Sequence, residues 1–461
     1  MMSGGAMDRV GLIACHECDL LQRETVLQSG GIARCRRCGA ELYRNRPDSM
    51  NRALACALAA IALFALANTF PILGLKVGGD LVQSTLFGAV RILYRDGMWP
   101  LAGLVFVTAM LMPLMEIAAI LYLLLPLRLY RAPLRPDLAF RVLLLARPWG
   151  MTEVLILGIL VALVKLVHIA SVVPGVALWA FGGAMLMVAA TAAAFDPRDA
   201  WARIGAARRR AGRHDIEESV SPSTSASMPA SSSLSPSTST SMSITRAPSP
   251  SASPSMPTAA SYGLFACHDC GLLSRPAAHA HEGYCPRCGA HLHFRKPHSL
   301  SRSWAFVLAA IVLYIPANVL PVMDTSSLFG AQADTIMSGV VYLWTSGSWP
   351  LAVVVFIASV AVPLLKIFAL VFLVTMVQRG SAWMPVRRTR IYRLVELVGR
   401  WSMLDIYVIT LLVALVQFSA LATIKAGPAA IAFGAVVVLT MLAARSFDPR
   451  LIWDAAGKHH G

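Results

Sequence analysis

Two quartets of cysteines, which begin 252 residues apart at Cys15 and Cys267, constrain this chain of 461 residues most strongly. Each quartet consists of two C-x2-C pairs, and 16 residues separate the pairs in the first quartet and 14 in the second. Four thiolates with this spacing can surround one Zn²⁺ ion tetrahedrally. The sequence therefore predicts two structural zinc sites, whose ligands are Cys15, Cys18, Cys35 and Cys38 and Cys267, Cys270, Cys285 and Cys288.

Each quartet is expected to fold as a small zinc ribbon, at residues 10–46 and 262–296. Gly39 and Gly289 follow the last cysteines of the two quartets, where a glycine can adopt the positive φ that a tight knuckle requires. Four cysteines complete the coordination shell of the metal. The zinc ions are therefore predicted to stabilise the ribbons and not to take part in catalysis.

Disulfide bonds are the alternative interpretation, because eight of the nine cysteines could form four bridges in an oxidising compartment. Residues 1–14 lack the apolar core of a cleavable secretory signal, and a reducing cytosol favours thiolates over bridges. Zinc is therefore the preferred interpretation. His16 and His268 lie inside the first C-x2-C pairs, but both quartets are already complete, so these side chains are expected at the surface.

The composition indicates an integral membrane protein. Hydrophobic residues make up 57% of the chain and charged residues 14%, which is more apolar than a soluble protein of this length needs to fill its core. Eight apolar runs approach the ~20 residues that cross hydrocarbon as a helix, at 52–74, 99–125, 150–172, 174–195, 303–323, 349–377, 402–424 and 427–445. The predicted fold is mainly α-helical and polytopic, with two tandem four-helix transmembrane modules, 50–198 and 300–450, each preceded by a ribbon.

The arginines indicate the orientation, because Lys and Arg accumulate on the cytoplasmic side of a membrane. The loop after the second span of each module is rich in arginine: Arg128, Arg131, Arg135, Arg141 and Arg147 in the first, and Arg379, Arg387, Arg388, Arg390, Arg393 and Arg400 in the second. The loop 324–348 has no Lys or Arg and is assigned to the opposite side. Both termini and both zinc ribbons are therefore predicted to be cytoplasmic. The net charge of +16 then reflects topology and attraction to anionic headgroups, and no nucleic-acid partner is expected.

The segment between the modules, residues 199–260, is predicted to combine a basic flank with a linker. Arg208, Arg209, Arg210 and Arg213 are expected to rest on the inner leaflet. From residue 219 onward the segment is mostly Ser, Pro, Thr and Ala, with almost no large apolar side chain. Such a composition cannot bury enough surface to offset the entropy of ordering, so this part is predicted to be disordered.

Short motifs recur at offsets of 250 to 252 residues, which indicates that the modules are a duplication. Asn68 and Pro71, near the end of the first span, match Asn318 and Pro321 in the second module. A proline frees helix carbonyls and an asparagine amide can bind them, so the pair indicates a bent or unwound terminus. A plain helix end is the alternative.

Two further motifs mark span boundaries. A Trp-Pro pair opens the second span of each module, at Trp99 and Trp349, where Trp suits the membrane interface and Pro suits the first helical turn. Phe-Asp-Pro-Arg closes each module, at residues 195–198 and 447–450. There Asp can cap the following helix and Pro can stop the span, and we expect both closing motifs to contact the ribbons.

Ionisable residues within the predicted spans are candidates for a transport pathway, because a charge in hydrocarbon is costly unless it is paired or hydrated. The candidates are Glu116, Lys165, Lys366, Glu153 and Asp405. Glu116 and Lys366 occupy matching positions with opposite charge and could face each other across the interface between the modules. Glu153 and Asp405 could instead pair with Arg147 and Arg400 at the cytoplasmic end. Together the candidates could line a polar cavity.

The duplicated CHxC and CxxCG pairs, the Asn-x-x-Pro ending, the Trp-Pro opening and the Phe-Asp-Pro-Arg closing resemble the paraquat-inducible protein A family over nearly the whole chain. The resemblance implies a multi-pass inner-membrane protein of a Gram-negative envelope. It also implies a periplasmic partner with MCE domains that forms a tunnel toward the outer membrane. The implied cargo is phospholipid or a related lipophile. The polar groups of the second and third spans would then either handle the headgroup or couple transport to protons.

Other functions are also weighed against transport. A zinc- or redox-responsive membrane stress sensor would use ribbons that lose zinc when their thiols are oxidised. An enzyme is not expected, because the chain has no nucleotide-binding loop, no H-E-x-x-H motif and no nucleophile elbow. Because both modules lie in one chain, a single copy per complex could suffice.

Overall fold

The structure is a computed structural model of the chain and describes residues 11–77, 80–147, 149, 171–219, 257–275, 283–327, 330–347, 349–401, 417–418 and 422–457. The third predicted span of each module, at 150–172 and 402–424, lies largely outside these residues. Glu153, Lys165 and Asp405 lie outside them as well. The assignment of these three residues to a transport pathway therefore stays a prediction.

Helices dominate the described residues and recur in the same order in the two halves. The first half contains α1 Ser49–Thr69, α2 Leu86–Arg95, α3 Trp99–Phe106 continued as Met112–Arg128, α4 Pro136–Ala146, α5 Val176–Ala194 and α6 Pro197–Ser219. The second half contains α7 Ser299–Val319, α8 Ile336–Thr345, α9 Trp349–Phe356 continued as Val362–Gln378, α10 Pro385–Trp401, α11 Pro428–Ser446 and α12 Arg450–Gly457. The mainly α-helical fold class and the tandem duplication are confirmed.

Six of the helices within the described part are long and apolar enough to cross a membrane. These are α1, α3 and α5 in the first half and α7, α9 and α11 in the second, which correspond to the first, second and fourth predicted spans of each module. α1 ends at Thr69 and α7 at Val319, before the predicted ends at 74 and 323. The chain turns into a β-strand soon after each of these ends.

A π-helical turn interrupts the second span of both modules. It comprises Val107–Leu111 in α3 and Ile357–Ala361 in α9, and each turn ends two residues before the proline at position 113 or 363. A proline inside a helix lacks a donor N–H and crowds the carbonyl of the preceding turn, and the wider π turn accommodates both effects. The repeated prolines therefore shape the long spans without ending them.

Short strands form two kinds of sheet. The ribbon strands are β1 Leu12–Ala14, β2 Leu21–Arg23, β3 Ile32–Arg34 and β4 Glu41–Arg44 in the first half, and β8 Phe265–Ala266, β9 Leu273–Ser274, β10 Gly283–Tyr284 and β11 His291–Leu292 in the second. The other strands are β5 Leu73–Val77, β6 Asp80–Ser84, β7 Ser171–Pro174, β12 Met323–Ser327, β13 Gly330–Asp334, β14 Gln417–Phe418 and β15 Ala422–Ala426.

A small antiparallel sheet lies at the end of each module that is remote from the ribbons. Its order is β6-β5-β7 in the first module and β13-β12-β15-β14 in the second. The first hairpin leaves α1 and pairs with the strand that leads into α5, so the sheet connects the first and last spans. The predicted loop 324–348 is thus a hairpin followed by α8, which the Thr335 side chain caps by accepting a hydrogen bond from the Ser338 N–H.

Within each module the first and last spans pack together most closely, α1 against α5 and α7 against α11. The buried face of α1 carries small side chains at Ala53, Ala57, Ala60 and Ala67. Small side chains allow helix backbones to approach closely where no aqueous hydrophobic effect drives association. The modules meet where the first segment of α3 packs on α11, and one apolar cluster contains buried residues of both halves.

Glycines next to the repeated prolines explain how the last span fits against the first. A Cβ at Gly175 would lie 2.1 Å from the Pro71 carbonyl oxygen, and one at Gly427 would lie 2.2 Å from the Pro321 carbonyl oxygen. No larger residue fits these two positions. The Asn68 amide donates to the Phe64 carbonyl at 2.8 Å, inside its own helix, and Asn318 does the same at the end of α7. Both motifs are plain helix ends.

Candidate metal centres and an intramembrane cavity

Each cysteine quartet converges on one point. In both quartets the four sulfurs lie within 4.8 Å of one another. The Sγ atoms of Cys15 and Cys38 are 3.5 Å apart, as are those of Cys267 and Cys288. These distances are too long for a disulfide, whose sulfurs lie about 2.0 Å apart. A zinc ion with Zn–S bonds of about 2.3 Å places its four sulfurs roughly 3.8 Å from each other, so both clusters fit a tetrahedral metal ion.

The knuckles that present these cysteines depend on residues with positive φ. Gly39 and Gly289 adopt φ of 74° and 65°, and each N–H donates to the carbonyl of the first cysteine in its pair. Gly271 holds the same conformation in the first pair of ribbon 2, but ribbon 1 has Asp19 there, with φ of 61°. A non-glycine residue in this region costs roughly 1–2 kcal/mol. Sequence reasoning missed Asp19, because no glycine marked the knuckle.

Asp19 lies where the two ribbons meet. Its carboxylate accepts a hydrogen bond from the Ala260 N–H at 3.1 Å and another from Arg295 Nη1 at 3.1 Å. Arg295 also makes a two-pronged contact with Asp454 of α12, at 2.7 Å for both bonds. The strained Asp19 is therefore compensated by contacts that join ribbon 1, the start of ribbon 2 and the second module.

Ribbon 1 docks on the second module. Arg393 of α10 donates from Nε to both carboxylate oxygens of Glu17, at 2.8 and 2.9 Å, and from Nη2 to Glu17 and to the Cys38 carbonyl, the latter at 2.9 Å. The Arg37 guanidinium stacks over the Trp453 ring at 4.4 Å. An apolar cluster beneath these contacts contains ribbon residues together with buried side chains of α9, α10 and α12.

Ribbon 2 docks on the first module in the matching way. Arg141 of α4 donates from Nη2 to the Cys288 carbonyl at 3.3 Å, and its Nε lies 3.6 Å from the Asp269 carboxylate. The apolar cluster of this contact joins Phe265 of ribbon 2 with Phe140 of α4. Each ribbon therefore packs against the transmembrane module of the other half. In both cases an arginine of that module contacts the carbonyl of the last cysteine and the acidic side chain between the first two cysteines.

The Phe-Asp-Pro-Arg motifs anchor the chain that leaves each ribbon, as predicted. Arg46 donates to the Phe195 carbonyl at 2.6 Å in the first half. In the second half the Lys296 N–H donates to the Asp448 carboxylate at 3.0 Å, and Arg450 binds the same carboxylate at 2.9 and 3.0 Å. Burial alone would raise the pKa of Asp448, but these hydrogen bonds and the Arg450 charge hold that pKa below its usual value.

Glu116 is paired within its own module. It is buried in α3, and its Oε1 atom lies 3.5 Å from Nε of Arg147, which follows α4. The sequence suggested that Glu116 faces Lys366 and that Arg147 pairs with Glu153. In the described residues the acid that Arg147 contacts is Glu116, and Lys366 Nζ makes no hydrogen bond.

Lys366 lies at the buried end of a cavity of about 380 Å³ between the modules. Only 2% of the lysine is exposed. The cavity is lined by Arg147, Lys366, Tyr392, Arg393, Val395, Glu396, Leu397, Gly399, Met441, Ala444 and Arg445. Arg147 comes from the first half and the other lining residues from the second, so the cavity contains a charged group of each module and also Arg393, which holds ribbon 1.

Comparison with known sequences identifies the family of this chain. The sequence profile of the Paraquat-inducible protein A family matches residues 50–205 and 300–457, which are the two transmembrane halves. The chain belongs to the paraquat-inducible protein A family. Intermembrane transport protein PqiA of Escherichia coli strain K12 is 32% identical to it over 450 residues, which cover 96% of this chain and 95% of the relative.

Two other relatives extend the comparison. Lipophilic envelope-spanning tunnel protein A of Escherichia coli strain K12 is 30% identical over 441 residues, which cover 96% of this chain and 91% of the relative. A probable intermembrane transport protein of Haemophilus influenzae is 38% identical over 179 residues, or 38% of this chain and 42% of that protein. No solved structure matches the chain significantly. The family profile covers both modules, whereas the cysteine quartets precede each matched range.

Glu116→Gln is expected to destabilise the protein by roughly 1–3 kcal/mol, the range for leaving a buried polar group without its partner. The reason is that the partly buried Arg147 loses its acid. Thermal denaturation in detergent should show the loss, and Glu116→Gln combined with Arg147→Gln should recover most of it. Glu24→Gln is the matched control, because Glu24 pairs with Arg198 at the surface and exposed pairs contribute little. A double variant no more stable than Glu116→Gln alone would show that the pair is not the cause.

Proposed function

We propose that this protein is the inner-membrane component of an intermembrane lipid transport system, and that it passes phospholipid or a related lipophile to or from a periplasmic MCE-domain tunnel protein. Full-length similarity to Intermembrane transport protein PqiA and to Lipophilic envelope-spanning tunnel protein A carries the proposal. Six apolar helices of spanning length and a charged cavity between the modules support it.

The two cysteine clusters are proposed to bind structural zinc. Four thiolates favour Zn²⁺ over hard cations, and a complete shell leaves no position for a reacting water. The ribbon strands are only two to four residues long, so the ribbons have little core of their own and would depend on the metal for their fold. Oriented knuckle carbonyls would then be available to Arg393 and Arg141.

The proposed orientation places both ribbons and both termini in the cytoplasm. The arginines of α4 and α10 contact the ribbons and support this side, because Lys and Arg concentrate on the cytoplasmic face. The sheets at the opposite end of the modules would then face the periplasm. An MCE-domain partner would bind on that side.

Lipid transfer from reconstituted vesicles tests the proposed function. The full chain is placed in vesicles of phosphatidylethanolamine and phosphatidylglycerol, and mass spectrometry measures phospholipid delivered to a soluble MCE-domain acceptor. We expect delivery above that from protein-free vesicles. Delivery equal to the protein-free control, combined with zinc loss on thiol oxidation, would favour the zinc- or redox-responsive stress sensor instead.

A further inference from the structure

The duplicated intramembrane site has diverged in charge. Glu116 and Lys366 occupy matching positions in α3 and α9, at an offset of 250 residues, and Arg147 and Gly399 match at an offset of 252. In the first module the acid and the arginine form a pair at 3.5 Å. In the second module a lysine stands at the position of the acid and a glycine at that of the arginine. The second site therefore holds a cation where the first holds a neutral pair.

The lysine has space in front of it and no partner among the described residues. Lys366 Nζ is buried and makes no hydrogen bond in the described part of the chain. A Cβ at Gly399 would lie 3.7 Å from Nζ, in ordinary contact, so the glycine leaves the ammonium facing the cavity. A buried ammonium without a partner is strongly unfavourable. This arrangement favours an anionic ligand at Nζ.

The other charges around the cavity do not compensate Lys366. Among the described lining residues four are cations, and three of them have carboxylates nearby: Arg147 contacts Glu116, Arg393 contacts Glu17, and Arg445 interacts with Glu396. One positive charge is left over, and it lies on the most buried of the four side chains. Glu396 and Arg445 are exposed, so they mark the outer part of the cavity.

We propose that this cavity binds an anionic phosphate group, with Lys366 as its innermost contact and Arg147 and Arg445 beside it. If the proposed function holds, on which this step rests, the bound group is the phosphate of a phospholipid headgroup. Lysine and arginine form short, charge-assisted hydrogen bonds to phosphate oxygens. Nη2 of Arg147 is buried without a hydrogen bond in the described residues and can donate to such a group, while Nε faces Glu116. The volume of 380 Å³ lies within the range of about 300–1,000 Å³ for small-ligand sites.

Two variants test the site by different means. Lys366→Met removes the charge and keeps the shape, whereas Gly399→Leu keeps the charge and fills the space in front of Nζ. The delipidated full chain in detergent is titrated with dioleoylphosphatidylglycerol, and native mass spectrometry counts the bound lipid. We expect both variants to bind it roughly tenfold or more weakly, the change that loss of one charged hydrogen bond produces.

Matched controls separate the site from general effects. Gly399→Ala fits the space, and Arg390→Gln removes an exposed charge of the same helix outside the cavity, so both should bind as wild type does. Zinc content and elution profile show whether each variant is folded. Wild-type affinity in both Lys366→Met and Gly399→Leu would overturn the proposal.

Two further probes identify the source of the phosphate. Dioleoylglycerol has the same tails without phosphate and should bind much more weakly than the phospholipid. If inorganic phosphate binds at Lys366 and the phospholipid does not, the site binds free phosphate, and the assignment to a lipid headgroup is wrong. Loss of phospholipid binding in both variants, with no lipid delivery by wild type, would leave the site standing while the proposed transport function fails.

Discussion

Cys35→Ser is expected to reduce the zinc content of the purified protein from two ions per chain to one and to release ribbon 1 from the second module. The Cys35 sulfur lies 3.5 Å from that of Cys18 in the cluster, so its loss opens the coordination shell. Structural zinc contributes about 10–16 kcal/mol of binding free energy to folding in isolated zinc fingers. Elemental analysis counts the metal, and hydrogen exchange of α10 and α12 reports the lost contact.

Cys56→Ser is the matched control for this experiment. Cys56 lies in α1, outside both clusters, so the variant should keep both zinc ions. Cys285→Ser should instead expose α4 of the first module, because ribbon 2 docks there. If hydrogen exchange increased only in the module that follows the altered ribbon in the sequence, the crossed docking of the ribbons would be contradicted.

The crossed ribbons fix how the ends of the modules next to the ribbons are held together. Each ribbon precedes one module and packs on the other, and the ribbons contact each other through Asp19 and Arg295. At the opposite end the two sheets are separate and each belongs to one module. The ribbon-side ends are thus joined by polar contacts, whereas toward the sheets the modules meet through one apolar cluster with buried residues of both halves.

Arg393 connects the first cysteine cluster with the cavity. Its guanidinium holds Glu17 and the Cys38 carbonyl, and the same side chain lines the cavity that contains Lys366. A change in the knuckle geometry would therefore act on a residue of the cavity wall. Ribbon 1 is in this sense one residue away from the cavity.

Local sequence patterns predict the six spans that lie in the described residues and both cysteine clusters. Apolar runs of spanning length depend only on neighbouring residues, and a C-x2-C pair fixes its own knuckle. The sheets remote from the ribbons have no such sequence signal. A strand such as Met323–Ser327 contains mostly small and polar residues, without alternation of apolar and polar side chains. The arginine-rich segments between the second and third spans are interpreted as loops on the basis of their charge, but they contain the helices α4 and α10.

Contacts between distant segments could not be predicted. Arg393 and Cys38 are 355 residues apart, and nothing in either segment indicates that a ribbon crosses to the other module. Glu116 lies in a span, as the apolar pattern predicts, but the sequence offers Glu153 and not Glu116 as a partner for Arg147. Pairing of charges depends on how helices pack, and hydrophobic periodicity does not determine that packing.

Arg393→Ala is expected to weaken the docking of ribbon 1 by about 3 kcal/mol, the lower end of the range for removing one partner of a buried ion pair. Glu17 is 93% buried and would lose its three contacts with the guanidinium, while Arg393 keeps a third of its side chain in solvent. Hydrogen exchange of the ribbon 1 backbone measures the free energy of opening.

Arg141→Ala is the comparison that the duplication itself offers. Arg141 makes the matching contacts to ribbon 2, but its distances are 3.3 and 3.6 Å and about half of its side chain is exposed. Its removal should weaken docking by only about 0.5 kcal/mol, as for a surface pair. If Arg393→Ala and Arg141→Ala changed the free energy of opening equally, the two docking contacts would contribute equally. The greater burial of the Arg393 contact would then have no energetic consequence.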